Sequence, residues 1–177
     1  MKKLILGSAI VAILGVASNA MAAPNSGTVN FIGSVSSATC DIALQDSAGG
    51  SITNVNLGTV STADNNPGAS VGFKLVPKDQ GCLSKTDANI MWTSSTLHPA
   101  GITNATTGGT NAYLWVKAGN ATQTGNDAII KEGHTSFDYK ITNGIKSFDY
   151  TAQLAKPGNG VTAGAFSASA SYVITYK

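Results

Sequence analysis

Apolar and polar residues alternate with a period of two along much of the chain, and no segment shows sustained helical periodicity. Clusters rich in Gly, Asn, Ser, Thr and Pro separate the alternating segments and are typical of turns and loops. Many short strands between such clusters predict an all-β sandwich. The predicted strands are residues 29–35, 52–60, 71–75, 88–92, 113–116 and 165–177, and the predicted loops are 46–51, 64–70, 93–111 and 118–126.

One hairpin can be predicted together with its register. Asn143-Gly144 is the strongest two-residue turn sequence and favours a type I′ turn. Strands that pair across this turn would set Phe137 opposite Tyr150 and Tyr139 opposite Phe148. Four aromatic rings would then share one face, which we expect to belong to the core.

The same register sets Asp138 opposite Asp149 on the other face of the hairpin. Retaining glycoside hydrolases hold two carboxyl groups about 5 Å apart, so a catalytic pair is one interpretation. The alternative is two solvated aspartates near Lys140, or a different strand register. Because exposed strand faces carry charged residues routinely, the alternative is favoured.

The alternating segment at residues 165–177 predicts a long, half-buried strand, with Gly164 just before it. Residues 27–35 form a second alternating segment near the opposite end of the chain. Alternation alone fits both an ordinary strand of a closed sandwich and a strand offered to another molecule. The apolar face of the later segment carries Phe166, Ala168, Ala170, Tyr172, Ile174 and Tyr176.

The first 22 residues have the pattern of a secretory signal peptide. Lys2 and Lys3 precede an apolar run over residues 4–16, and Ala20-Met21-Ala22 supplies the small residues of a cleavage site. The apolar run is shorter than the roughly 20 residues that a membrane-spanning helix needs. We expect cleavage after Ala22 and export of the remaining chain.

Composition excludes further classes of function. Charged residues make up 11% of the chain, against about 25% in a typical soluble domain, and all 11 basic residues are Lys. Removing the 22-residue leader from 177 residues leaves 155, with nine basic and nine acidic side chains. A neutral chain without Arg lacks the basic surface that nucleic-acid binding requires. It also has little charge repulsion to oppose self-association.

Cys40 and Cys82 are the two cysteines of the chain. Export into an oxidising compartment favours one structural disulfide between them. A redox pair or a metal site is the alternative, but metal sites usually cluster Cys and His at short spacing. Neither cysteine has a His nearby in the sequence.

Sequence motifs for catalysis are missing. The chain has no nucleophile elbow, phosphate-binding Gly loop or metal-binding cluster, and His98 and His134 have no ligand set beside them. We therefore expect no enzyme activity, no catalytic residue, no metal and no cofactor. Two Asn-Ala-Thr motifs, at Asn104 and Asn120, fit the glycosylation pattern and are interpreted as coincidental.

Several features together resemble the chaperone–usher pilins, the subunits of type 1-like fimbriae in Gram-negative bacteria. The segment 27–35, followed by Cys40, is similar to the family's N-terminal extension before its first Cys. The spacing to Cys82 is similar to the family's single disulfide, and residues 71–75 resemble the strand that leads to the second Cys.

The other end of the chain matches as well. Gly164, fourteenth from the last residue, and Tyr176, the penultimate residue, fit the alternating pattern that the family presents to its chaperone. The resemblance implies an incomplete immunoglobulin-like sandwich that is completed by a donor strand from a neighbouring subunit. This mode of β-strand addition is a known form of peptide recognition.

The resemblance also implies a division of the chain and a role for each part. Residues 1–22 would be the signal peptide, 23–35 the donor-strand extension and 36–177 the pilin domain. The implied donor-strand residues are Val29, Phe31, Gly33 and Val35, and the implied acceptor or chaperone-binding residues are Gly164, Phe166, Ala168, Ala170, Tyr172, Ile174 and Tyr176.

The implied partners are identical or related subunits, a periplasmic chaperone and an outer-membrane usher, with no nucleic acid. The implied product is an extracellular fimbrium that supports adhesion to a host glycan or receptor. A chain of 155 residues has no room for the added lectin domain that tip adhesins of this family usually carry. A subunit with both an extension and a groove can join neighbours on both sides, so a major shaft subunit is favoured, with a minor adaptor as the close alternative. The alternative from a different class is a secreted carbohydrate-binding module, in which Trp92, Trp115 and Tyr113 would stack on sugar rings.

Overall fold

The computed structural model describes the backbone of residues 26–33 and the whole of residues 40–63 and 66–177. The predicted signal peptide and Val35 lie outside the described residues. No helix in the described part is long and apolar enough to cross a membrane. Eleven strands are described: β1 Ser26–Gly33, β2 Ile42–Asp46, β3 Asn54–Thr59, β4 Val71–Pro77, β5 Asp87–Thr93, β6 Leu97–His98, β7 Gly101–Thr103, β8 Tyr113–Ala118, β9 Ser136–Lys140, β10 Phe148–Ala155 and β11 Phe166–Tyr176.

The strands form two sheets that pack face to face. Sheet A has five strands in the order β3-β1-β11-β5-β9, and sheet B has six in the order β2-β4-β10-β8-β7-β6. A short helix α1, Gln80–Leu83, follows β4, and a 3₁₀ turn, Gly125–Ala128, follows β8. The predicted all-β sandwich is confirmed.

The core lies between the sheets and explains the alternation in the sequence. In β11 the side chains alternate between buried and exposed along the strand, and β4 and β8 bury every second residue as well. Each sheet thus has one apolar face, and the two faces bury each other. The largest fully buried side chains are Trp92, Tyr139, Tyr150, Phe73, Phe137, Phe148, Leu57, Leu75, Ile90, Ile102, Leu114 and Ile130.

The predicted hairpin across Asn143-Gly144 is wrong. β9 pairs with β5 in sheet A, whereas β10 pairs with β4 and β8 in sheet B. The residues that connect β9 to β10 do not form a hairpin turn. The amides of Ile141 and Ile145 instead donate hydrogen bonds to the carbonyls of Thr86 and Lys85. Ile145 is also fully buried. The turn therefore carries the chain from one sheet to the other.

The aromatic contact expected from the hairpin exists for a different reason. Tyr139 and Phe148 face each other across the sandwich with ring centroids 4.8 Å apart in an edge-to-face arrangement. Asp138, in contrast, pairs with Asn89 in sheet A, whereas Asp149 pairs with Lys74 in sheet B. The register that would set the two carboxylates opposite each other therefore does not form.

The long loop predicted at residues 93–111 contains two short strands, β6 and β7, which extend the edge of sheet B. Their length, two and three residues, leaves no measurable alternation in the sequence. They are strands because β6 pairs with β7 and β7 pairs with β8.

Candidate functional site

The site under consideration is the slot in sheet A that β1 occupies. β1 runs parallel to β11 over seven residue pairs, from Gly27 beside Phe166 to Gly33 beside Tyr172. On its other side it pairs antiparallel with β3. Among the described strands this is the one parallel pairing, and it joins the first described strand to the last.

The register sets the predicted donor positions beside the buried positions of β11. Val29, Phe31 and Gly33 pair with Ala168, Ala170 and Tyr172, respectively. These three partners are buried, at 4%, 3% and 7% exposure. The intervening positions of β1 pair with Ser167, Ser169 and Ser171, of which the last two are exposed. The predicted donor positions are therefore in register with the buried positions of β11.

β3 depends on β1 for its place in the sheet. Within the described strands β3 is hydrogen-bonded only to β1, yet its Val55 and Leu57 are each 1% exposed. Removing β1 would leave two strand edges unpaired and uncover apolar side chains beneath them. Both features are unfavourable in water.

The opposite edge of β11 is already occupied. β5 pairs with its second half, from Ser171 to Tyr176. Beside its first half, Ser94 Oγ donates to the Ser169 carbonyl at 2.7 Å, and Asn104 Oδ1 accepts from the Ser167 amide at 2.9 Å. The slot filled by β1 is thus the one edge of β11 that another strand can enter.

The role of Asn104 was not expected from the sequence, which marked it only as part of an Asn-Ala-Thr motif. Its Nδ2 also donates to the carbonyls of Ala165 and Thr110, at 2.8 and 2.9 Å. Asn120 is engaged in the same way with the backbone of Ser147 and Asp149. Both asparagines fix the backbone of loops through side-chain hydrogen bonds. No sequence motif predicts this role.

Gly164 lies two residues before the start of β11 and has a φ of +151°. A Cβ at this position would lie 2.7 Å from the Thr110 amide nitrogen and 2.8 Å from the Gly109 carbonyl carbon. Two backbone segments therefore approach each other here too closely for a side chain. This explains the glycine at one end of the slot.

The remaining predicted acceptor residues lie on β11. Phe166, Ala168, Ala170, Tyr172 and Ile174 are buried, and Tyr176 is partly buried with its ring 6.2 Å from that of Phe148. The Tyr176 hydroxyl makes no hydrogen bond within the described residues. Burial, with smaller contributions from Tyr172 and Asp79, raises its pKa to about 12.

The disulfide between Cys40 and Cys82 is formed, with Cα atoms 6.2 Å apart. Both cysteines are buried, at 1% and 7% exposure. Cys82 lies on α1, and the neighbouring Asp41 amide donates to Asp79 Oδ2 at 2.9 Å. The bridge thus anchors the chain at Cys40, shortly after β1. The described residues contain no cluster of three or more His, Cys, Asp or Glu suited to a metal ion.

The three aromatic residues of the carbohydrate-binding alternative differ in their exposure to solvent. Trp92 is 1% exposed and points into the core, where its Nε1 donates to the Tyr150 hydroxyl at 3.1 Å. Trp115 and Tyr113 are partly exposed on the outer face of sheet B. Tyr113 stacks on His98 with ring centroids 5.4 Å apart.

The chain is similar along its length to fimbrial proteins of Escherichia coli. It is 37% identical over 186 residues to the K99 fimbrial protein, with 99% of each chain covered. It is 35% identical over 181 residues to the F107 fimbrial protein, with 100% of each chain covered. No protein-family model matches the chain.

Proposed function

Since the chain belongs to the fimbrial proteins, we propose that it is a structural, non-enzymatic subunit of a surface fimbria that polymerises by donor-strand exchange. Residues 23–35 of one subunit fill, in the next subunit, the slot between β3 and β11. The observation that carries the proposal is the position of β1, which lies between β3 and β11 and completes sheet A through main-chain pairing on both sides.

A neighbour's strand can make the same bonds that β1 makes within its own chain. Every pairing of residues 26–33 involves β3 or β11, and neither strand is close to β1 in the sequence. Exchange of an identical element between copies therefore conserves the contacts and needs only a different path for the connecting residues 34–39. Repeated exchange in one direction builds a linear fibre.

Assembly requires that the slot be protected before a neighbour enters it. In our proposal residues 1–22 direct export, and a periplasmic chaperone then covers the edge of β11. The outer-membrane usher mediates the replacement of the chaperone by the next subunit. The product is an extracellular fimbrium in which this chain forms the shaft and supports adhesion.

The strand that occupies the slot can be tested with two neighbouring substitutions. Phe31 pairs with buried Ala170, whereas Asn30 pairs with exposed Ser169. Burying the charge of Phe31→Arg without a partner is strongly unfavourable, so this variant should form no fibres. Asn30→Arg adds the same charge at the solvent side and should assemble normally.

Electron microscopy of the bacterial surface and size-exclusion chromatography of the secreted protein measure the outcome. Normal fibres from Phe31→Arg would show that this segment is not the donor strand. Equal loss of fibres in both variants would mean that added charge near the amino end is harmful in itself.

A further inference from the structure

An open cleft of ≈ 390 Å³ lies on the outer face of sheet B, on the opposite side of the sandwich from the β1 slot. Its floor consists of two cross-strand pairs between β8 and β10, Trp115 with Gln153 and Lys117 with Thr151. Asn126, from the 3₁₀ turn, forms part of its wall. The volume is within the range of small-molecule sites.

The indole of Trp115 is held in one orientation. Its Nε1 donates to the Ala100 carbonyl at 2.7 Å. Gly101 has a φ of +138°, and a Cβ there would lie 3.0 Å from Trp115 Cδ1, so the backbone packs directly against the ring edge. The ring is only partly buried in spite of these contacts. A rigid aromatic surface is thus available in the cleft without further ordering.

The polar side chains around Trp115 have no partners among the described residues. Within the described part of the chain, the side chains of Lys117, Asn126, Thr151 and Gln153 make no hydrogen bond or ion pair. The side-chain amides of Asn104 and Asn120, in contrast, donate hydrogen bonds to backbone carbonyls. The cleft therefore combines an aromatic surface with free amide, hydroxyl and ammonium groups.

We propose that this cleft binds a pyranose ring of a saccharide. The C–H groups of the ring would pack on the face of Trp115, because an aromatic face carries partial negative charge. Sugar hydroxyls both donate and accept hydrogen bonds, and the amides of Asn126 and Gln153 do the same. A single Lys without Arg is a poor phosphate site, which disfavours a nucleotide.

Saturation-transfer NMR on the mature full-length chain tests the proposal independently of polymerisation. The probes are methyl β-glucopyranoside, methyl β-galactopyranoside, methyl α-mannopyranoside and N-acetylglucosamine. At least one should receive saturation from the wild-type protein and lose it with Trp115→Leu. The double variant Asn126→Ala, Gln153→Ala should weaken binding by about fivefold or more, since two hydrogen-bonding groups are removed.

Tyr113→Leu is the matched control. Tyr113 lies on the same strand and face as Trp115 but outside the cleft, so this variant should bind as the wild type does. The double variant removes side chains that have no partners in the described part of the chain and should keep the wild-type melting temperature, even if Trp115→Leu does not fold. Absence of transfer to all four probes, or binding unchanged in the double variant, would overturn the proposal. Polymerisation is measured separately with Phe31→Arg.

Discussion

At the scale of single residues, Tyr150 connects the two sheets through a buried chain of polar atoms. Its hydroxyl accepts from Trp92 Nε1 at 3.1 Å and from the Tyr139 hydroxyl at 2.6 Å. Its ring stacks on Phe73, with centroids 5.3 Å apart. Trp92 and Tyr139 belong to sheet A and Tyr150 to sheet B, so these bonds fix how the sheets lie on each other.

Removing that hydroxyl should be costly. In Tyr150→Phe, two buried donors lose their common acceptor, and we expect the free energy of unfolding to fall by about 2–4 kcal/mol. Urea unfolding followed by circular dichroism measures the change. Tyr113→Phe, at a tyrosine whose hydroxyl has no hydrogen bond in the described residues, should change the free energy by less than about 0.5 kcal/mol. A similar loss in both variants would argue against a special role for Tyr150.

The same tyrosines predict a loss of stability in alkali. Burial raises the pKa of both Tyr139 and Tyr150 well above the ordinary value of 10.0. A raised pKa in the folded state stabilises the protein below pH 10, and the stabilisation is lost as the pH rises because only the unfolded chain ionises freely. Each such tyrosine should steepen the fall in the free energy of unfolding by up to about 1.4 kcal/mol per pH unit.

Urea unfolding at about pH 9, 10 and 11 gives this slope. The variant Tyr139→Phe should show a shallower slope than the wild type, since one ionising group is removed. Lysine deprotonation affects both proteins equally and cancels in the comparison. An unchanged slope would contradict the assignment of alkaline unfolding to these tyrosines.

At the scale of elements, β11 is divided between two neighbours. β1 pairs with its first seven residues and β5 with its last six. The loop that carries Asn104 continues the edge formed by β5, and Gly164 allows β11 to start close to this loop. The slot for β1 is therefore defined by the loop and the glycine as much as by the strands.

Gly164→Ala should disturb the start of β11. The added methyl group would meet backbone atoms that cannot rotate away, so we expect a loss of about 1–3 kcal/mol in the free energy of unfolding. Gly158→Ala is the control, because nothing lies within 4 Å of its Cβ position. It should leave stability unchanged or raise it slightly. Chemical denaturation of the two variants compares them, and a tolerated Gly164→Ala would show that the loop can move.

At the scale of the whole molecule, the sandwich has a body closed by a disulfide and a strand that completes it. Cys40 and Cys82 tie the start of the body to α1, and two core-lining sheets extend from there. β1 contributes main-chain pairing to the body but precedes the bridge in the sequence. This division is the physical basis of donor-strand exchange as proposed above.

The division predicts the behaviour of a protein that begins at Ser36. With the disulfide intact but β1 absent, its melting temperature should be low, and a peptide of residues 23–35 should raise it. Each large apolar side chain that the peptide buries would add about 1.5–3 kcal/mol. A peptide with Phe31→Arg should have little effect, whereas one with Asn30→Arg should act like the wild type. A high melting temperature that no peptide changes would mean that the body is self-sufficient.

The strands at residues 71–75, 88–92 and 165–177 could be predicted because alternation is a local property. A half-buried strand must place every second side chain in the core, and the sequence records this whatever the partner strand is. The single disulfide and the glycine before β11 could likewise be predicted, because each depends on the identity of one or two residues. The similarity to fimbrial proteins was indicated by the order of these strands, cysteines and glycine along the chain.

What the sequence by itself determined was which residues form strands and which side of each strand is apolar. Only the tertiary structure decided which strands pair: Asn143-Gly144 connects two sheets because Ile141 and Ile145 are held by another segment. It also decided that Trp92 is buried while Trp115, with the same alternation, lies in an open cleft. The physical reason is that alternation specifies two faces of a strand, but burial depends on which face another sheet covers.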